Sequence, residues 1–244
     1  MKTVKAIVTG HTKGLGSALA LHLLDRGVPV LGLARTSSGQ LAKKFPALFS
    51  EAAVDLGQIT YLATWLASGA LEQYLNKCST VLLINNAGMV QPVGSLSQQD
   101  PQEVAVSVTL NVAAPLMLAT AVIRATPGKQ RRVLHISSGA GSSAYPGWSV
   151  YCATKAALDH NARAVALDAE EGVRICSLAP GVIDTEMQAT IRATSDQQFP
   201  LRQRFVDMKA TGQLVAPEDC AARVIDYLMA DRFGDTPVDD LRNS

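Results

Sequence analysis

The sequence predicts an α/β protein: a doubly wound, mostly parallel sheet with helices on both faces, three layers thick and built as one domain over residues 1–244. Three observations predict it. Short apolar runs alternate with stretches of helical periodicity along the chain. A glycine-rich turn separates the first apolar run from the first helical stretch. The 244 residues, 48% of them apolar, suffice for one large core, and no low-complexity linker or internal repeat divides them.

Residues 4–8 (VKAIV) read as the first strand and residues 28–33 (VPVLGL) as the second. Residues 52–54 form a weak third, 81–84 (VLLI) a fourth, 133–136 (VLHI) a fifth and 173–178 (VRICSL) a sixth. Between them, residues 15–24 and 104–123 place apolar side chains at helical spacing. Strands buried on both faces and joined by helical crossovers pair in parallel, and right-handed crossovers wind them outward in two directions. One stretch, about 183–212, breaks the alternation; it is polar, carries Arg192, Arg202 and Arg204, and is expected to be an irregular substrate loop. Pro217 with Glu218 and Asp219 opens a last helix. The tail from Gly234 to Ser244 shows little pattern.

Bulk chemistry excludes several classes. A formal net charge of +1 offers no broad basic surface to nucleic acid. Cys78, Cys152, Cys176 and Cys220 form neither a C-x-x-C pair nor a zinc pattern, so no metal is expected and free thiols point to a reducing compartment. No signal-peptide layout and no unbroken apolar run of membrane length is visible. The expectation is a cytoplasmic protein acting on a small molecule, with neither nucleic-acid nor membrane partners.

The first strand runs into Thr9-Gly10-His11-Thr12-Lys13-Gly14-Leu15-Gly16. Three glycines after a strand and before a helix let the backbone turn sharply and approach a pyrophosphate, which the free N–H groups of the helix start can hold. This is a Rossmann-type arrangement. The spacing Gly-x-x-x-Gly-x-Gly, with the preceding threonine, resembles the short-chain dehydrogenase/reductase family. Gly10, Thr12, Lys13, Gly14, Leu15 and Gly16 are then the phosphate-end residues. Nicotinamide cofactors without a 2′-phosphate call for an acid about 20 residues beyond the glycines. Here the second strand ends in Leu33-Ala34-Arg35, with no acid. Arg35 alone reads equally as a solvated charge, but a guanidinium there can pair with a 2′-phosphate, and Lys13 can add a second positive charge. The expected cofactor is NADPH/NADP.

The resemblance continues through the chain. Asp55-Leu56 matches the family's adenine-contacting pair, although Asp55 by itself reads as a helix cap. Asn85-Asn86-Ala87-Gly88 matches its Asn-Asn-Ala-Gly signature, with Asn86, Ala87 and Gly88 beside the cofactor and Asn85 structural. Ser138, at the end of the fifth strand, precedes Tyr151 and Lys155, which stand four apart on one helix face. Carbonyl reduction needs a proton for the developing alkoxide, and a lysine ammonium beside a tyrosine is expected to lower the phenol's pKa toward neutrality. Asn111 completes the family's Asn-Ser-Tyr-Lys tetrad. The resemblance implies that Ser138 bonds the substrate carbonyl, that Asn111 holds a water behind Lys155, and that Lys155 and Tyr151 also touch the cofactor. Pro180, Gly181, Ile183 and Thr185 match the family's Pro-Gly-x-x-x-Thr segment, which holds the carboxamide of the nicotinamide.

A narrower resemblance, to the sepiapterin reductase and benzil reductase branch, rests on Asp184-Thr185-Glu186-Met187-Gln188 and on residues 201–205 and 209–215. It implies a ketone or vicinal dicarbonyl substrate. It also implies an anchoring aspartate near the C-terminus, best matched by Asp239, which reads equally as a solvated tail charge. Trp148 and Met187 are candidate pocket walls, although by themselves each reads more readily as ordinary packing. His11 is a candidate phosphate neighbour, while His22, His135 and His160 read as structural. Family members are commonly homodimers or homotetramers assembled through the helices of Asn111 and Tyr151. Two readings stay beside the reductase: a non-catalytic NADPH sensor or scaffold, and an alcohol dehydrogenase working oxidatively.

Overall fold

The computed structural model describes residues 3–243. Seven strands form one parallel sheet in the order β3-β2-β1-β4-β5-β6-β7. They are β1 (Val4–Thr9), β2 (Val30–Ala34), β3 (Phe49–Ala53), β4 (Thr80–Asn85), β5 (Gln130–Ile136), β6 (Val173–Ala179) and β7 (Val238–Asp240). The helices are α1 (Gly14–Asp25), α2 (Gly39–Lys44), α3 (Ile59–Ala67), α4 (Ala70–Leu75), α5 (Pro101–Val108), α6 (Ala114–Ala125), α7 (Ser149–Asp168), α8 (Glu186–Ala193), α9 (Arg202–Ala210) and α10 (Pro217–Met229). The six strands read from sequence all form.

Alternate strand residues supply two separate cores. Ala6, Val8, Val30, Leu82, Ile84, Leu134 and Cys176 pack under α1 and α10. Ile7, Leu31, Leu33, Val81, Leu83, Val133 and Ile175 pack under α3, α4, α6 and α7. A third, smaller core lies outside the sheet, where Trp148 and Tyr151 meet Ile191, Phe199 and Phe205.

Three readings of the sequence need correction. Residues 183–212 are not irregular: they contain α8 and α9, whose buried Ile191 and Phe205 dock on the third core rather than on the sheet. The tail is not patternless, because Val238–Asp240 adds the edge strand β7 beside β6. Residues 101–125 run as one helical stretch, α5 joined to α6 by a π-helical segment at Thr109–Ala113, long and apolar enough by composition to cross a membrane. Its Ala114, Leu118 and Val122 are buried in the second core.

The chain reverses its winding direction between β1 and β4, which are neighbours at the centre of the sheet. Parallel sheets leave a crevice at the carboxyl ends of the strands at such a point. The functional residues gather there.

Candidate active site

A cleft of about 950 Å³ runs across the carboxyl ends of the strands. Its floor at one end is the glycine loop. Gly14 has φ +53, in the left-handed region that glycine tolerates. A Cβ on Gly16 would lie 2.1 Å from the Gly10 carbonyl oxygen, so only glycine lets α1 begin this close to β1. No side chain caps the α1 N-terminus, which leaves its N–H groups to an anion in the cleft. The Thr9 hydroxyl accepts the N–H groups of Asn86 and Ala87, both at 2.9 Å, and Asn86 Nδ2 donates back to the Thr9 carbonyl at 2.9 Å. Asn86, Ala87 and Gly88 are thereby locked against the glycine loop. Asn85 turns the other way, into the core, where its Nδ2 reaches His135 Nδ1 at 3.1 Å.

The adenosine end is open. Arg35 is exposed at the rim, and Asp55 and Leu56, which follow the adjacent strand β3, line the cleft. Asp55 accepts the Gly57 N–H at 2.9 Å in the turn before α3, whose N-cap is Gln58, so it is not the helix cap that it reads as by itself. Thr12 and Leu15 line the cleft. Lys13 does too, but its ammonium is engaged by Glu186 of α8 in a largely exposed pair. Such pairs contribute little in water, so Lys13 bridges the cleft mouth and is not committed to Arg35's end. His11 is no phosphate neighbour: its ring is completely buried beneath the loop and paired with Glu51.

The other end of the cleft holds the tetrad. Tyr151 and Lys155 lie one turn apart on α7, 7% and 6% exposed. Ser138 caps the short turn after β5, its Oγ accepting the Ala140 N–H at 3.2 Å, and lines the cleft with Tyr151. Burial pushes the Tyr151 hydroxyl up to about 12, with Ser138 opposing. This corrects the expectation that Lys155 brings the phenol toward neutrality. Desolvation dominates, and the Lys155 ammonium lies 5.6 Å from the phenol ring centroid and donates to the Ile136 carbonyl at 2.8 Å. Burial lowers Lys155 to about 8, opposed by the Asp159 carboxylate one turn further along α7. Tyr151 is therefore protonated, and Lys155 mostly charged, at neutral pH.

Asn111 is 1% exposed and its side-chain amide is engaged on both sides. It donates to the Met89 carbonyl at 2.8 Å and to Thr154 Oγ1 at 3.1 Å, and accepts the Met89 N–H at 2.9 Å. The amide thus ties the loop after β4 to α7 beside Lys155.

Pro180, Gly181, Ile183 and Thr185 form the opposite lip. Thr185 begins α8 with its hydroxyl uncommitted to a cap. Trp148 and Met187 line the cleft as expected. Trp148 stacks on Phe199 at 4.4 Å and meets Tyr151 edge-on at 5.5 Å. Asp239 does not reach the cleft: it accepts the Tyr227 hydroxyl at 2.8 Å and its own neighbour's N–H. The tail residue that lines the cleft is Arg242, held by Asp240 and passing over Gly181. Arg242, Tyr145 and Phe205 were missed in the sequence, since nothing in their spacing links them to Tyr151. Among the described residues no cluster of ligating side chains could hold a metal.

A dinucleotide cradle at a sheet's winding reversal, ending on a buried Tyr–Lys pair beside Ser138, defines a nucleotide-dependent oxidoreductase of alcohol and carbonyl groups. The short chain dehydrogenase family matches residues 4–196, and the chain belongs to it. A benzil reductase, (S)-benzoin forming, of Bacillus cereus is 33% identical over 235 residues, covering 93% of this chain and 94% of its own. A sepiapterin reductase of Xenopus tropicalis is 32% identical over 248 residues, covering 95% and 93%. A short-chain dehydrogenase/reductase of Burkholderia vietnamiensis, known from its crystal structure, is 46% identical with a TM-score of 0.73, over 99% of this chain and 98% of that one. The family's cofactor is a nicotinamide dinucleotide, and the glycine cradle, the uncapped α1 start and the open adenosine rim fit one.

Proposed function

We propose that the chain is an NADPH-dependent carbonyl reductase acting on a ketone or vicinal dicarbonyl, with Tyr151 as proton donor. The observation that carries this reading is the placement of the buried Tyr151 and Lys155, with Ser138, in the same cleft as the glycine loop. When bound, the reduced nicotinamide supplies the hydride to the carbonyl carbon. Ser138 donates to the substrate oxygen and Tyr151 delivers the proton as that oxygen becomes an alkoxide. The Lys155 ammonium stabilises the phenolate left behind. Arg35 at the rim, with no acid at the end of β2, supports the phosphorylated cofactor. The benzil and sepiapterin reductase relatives, with the Trp148–Phe199 wall, support a dicarbonyl on an aromatic or planar body.

The decisive assay is NADPH oxidation across a panel of diketones, pterin-like dicarbonyls, simple ketones and quinones. Tyr151→Phe is expected to cut turnover by about 10² or more with cofactor affinity nearly unchanged. A variant that keeps most of its activity overturns the role, and no turnover across the panel favours the sensor reading. NADPH is expected to be preferred over NADH at least about tenfold, roughly 1.4 kcal/mol. We further propose a cytoplasmic homodimer or homotetramer. The apolar stretch at residues 101–125 and the 85% exposed Leu167 on α7 offer a face for a second copy, which sedimentation would detect.

A further inference from the structure

The turn after β2, which carries Arg35, is shaped from below by a strap of two side chains. His11, inside the glycine loop, is completely buried, and its Nε2 lies 3.0 Å from Glu51 Oε2 on β3. The same carboxylate oxygen accepts the backbone N–H of Ser38 at 2.7 Å. Glu51 therefore joins the glycine loop, β3 and the far end of the Arg35–Ser38 turn.

The packing leaves the strap little freedom. A Cβ on Gly32 of β2 would lie 2.5 Å from His11 Nδ1, so glycine makes room for the imidazole. Phe49 meets the ring edge-on at 5.4 Å. The Glu51 side chain is 22% exposed. The near end of the turn is fixed by the sheet, where the Val54 N–H donates to the Ala34 carbonyl at 2.9 Å. Arg35, Thr36 and Ser37 lie exposed between these two anchors.

We propose that His11 and Glu51 are positioning residues for cofactor selection: they hold the Arg35–Ser38 turn in the shape that receives a 2′-phosphate. This rests on the NADPH reading above. Charge alone predicts the opposite sign, since a carboxylate near a phosphate site repels the ligand. Removing Glu51 therefore separates the two effects. If the strap governs, losing it weakens NADPH binding. If only charge matters, losing it strengthens NADPH binding. NADH has no 2′-phosphate and is expected to be nearly indifferent.

The test is direct binding of NADPH and NADH, followed by fluorescence or calorimetry, to wild type, Glu51→Ala, Glu51→Gln, His11→Ala and Arg35→Ala. Glu51→Ala is expected to weaken NADPH about tenfold and NADH less than about twofold. Glu51→Gln, which keeps an acceptor for Ser38, is expected to recover most of the loss. Retained NADH binding reports an intact fold, and His11→Ala, expected to weaken NADPH selectively, gives the answer if Glu51→Ala does not fold. Tighter or unchanged NADPH binding in Glu51→Ala, or in His11→Ala where that variant decides, overturns the strap. If Arg35→Ala abolishes the preference while both strap variants keep it, the strap alone is overturned. Equal wild-type affinity for the two cofactors overturns the NADPH reading and the strap with it.

Discussion

At the scale of single residues, Lys155 sets the pH range. Its folded pKa of about 8 lies below the ordinary 10.5 because the ammonium is buried. Below about 8 it is charged and can stabilise the Tyr151 phenolate; above, that support is lost. Carbonyl reduction is therefore expected to fall as pH rises through about 8. Tyr151 and Asp159 on α7 and His135 on β5 are the titratable neighbours. Of these, Asp159 is the one that favours the charged lysine. Its Oδ1 accepts the hydroxyls of Ser137 and Ser177, both at 2.7 Å, which fix the carboxylate in place. Asp159→Asn is expected to move the alkaline limb to lower pH, so that turnover near pH 8 falls about two- to threefold while turnover near pH 6 changes little. An unmoved limb would remove Asp159 from this role.

At the scale of elements, α8 and α9 form a wall that the sheet does not hold. Phe199, between them, is completely buried and bridges the Trp148 stack to Phe205 at 5.5 Å. Phe199→Ala removes about 3–5 kcal/mol of core contact. The loss falls on the third core, far from the two cores that hold the glycine loop. KM for the carbonyl substrate is expected to rise about fivefold or more, with NADPH affinity changing less. An unchanged KM would mean that substrate does not use this wall. The same elements show why residues 183–212 misled the sequence reading. Their apolar residues face Trp148 and Tyr151, not a sheet, so Met187, Ile191, Phe199 and Phe205 follow no single helical stripe. β7 was hidden for another reason: Val238–Asp240 carries two aspartates and pairs only through its backbone at the edge. Strands β1, β4, β5 and β6 were legible because burial on both faces demands unbroken apolar runs. The glycine loop and tetrad were legible because their chemistry restricts residue type and spacing together. Arg242 and the Glu51–His11 pair were not, since each depends on segments brought together only by the fold.

At the scale of the whole molecule, His135 links two strands and a helix near the centre of the sheet. From β5, its Nδ1 accepts from Asn85 of β4 at 3.1 Å, and its Nε2 reaches Asn161 Oδ1 of α7 at 3.3 Å. These partners fix the neutral tautomer with hydrogen on Nε2. Burial, with the Lys155 ammonium adding repulsion, lowers its pKa to about 4 from the ordinary 6.5. The sign follows from where each state binds the proton. Between pH 6.5 and 4 the unfolded chain is protonated at this residue and the folded chain is not, so stability falls as pH falls. Above 6.5 both states are neutral and the residue is silent. At pH 5 this one group is expected to cost about 2 kcal/mol relative to pH 7.5. His135→Gln keeps a polar side chain there but cannot titrate. Urea unfolding midpoints at pH 7.5 and pH 5 should therefore fall less in the variant than in wild type, by about that amount once converted through the m-value. Equal falls in both proteins would show that His135 is not the residue through which acid loosens the centre of the sheet.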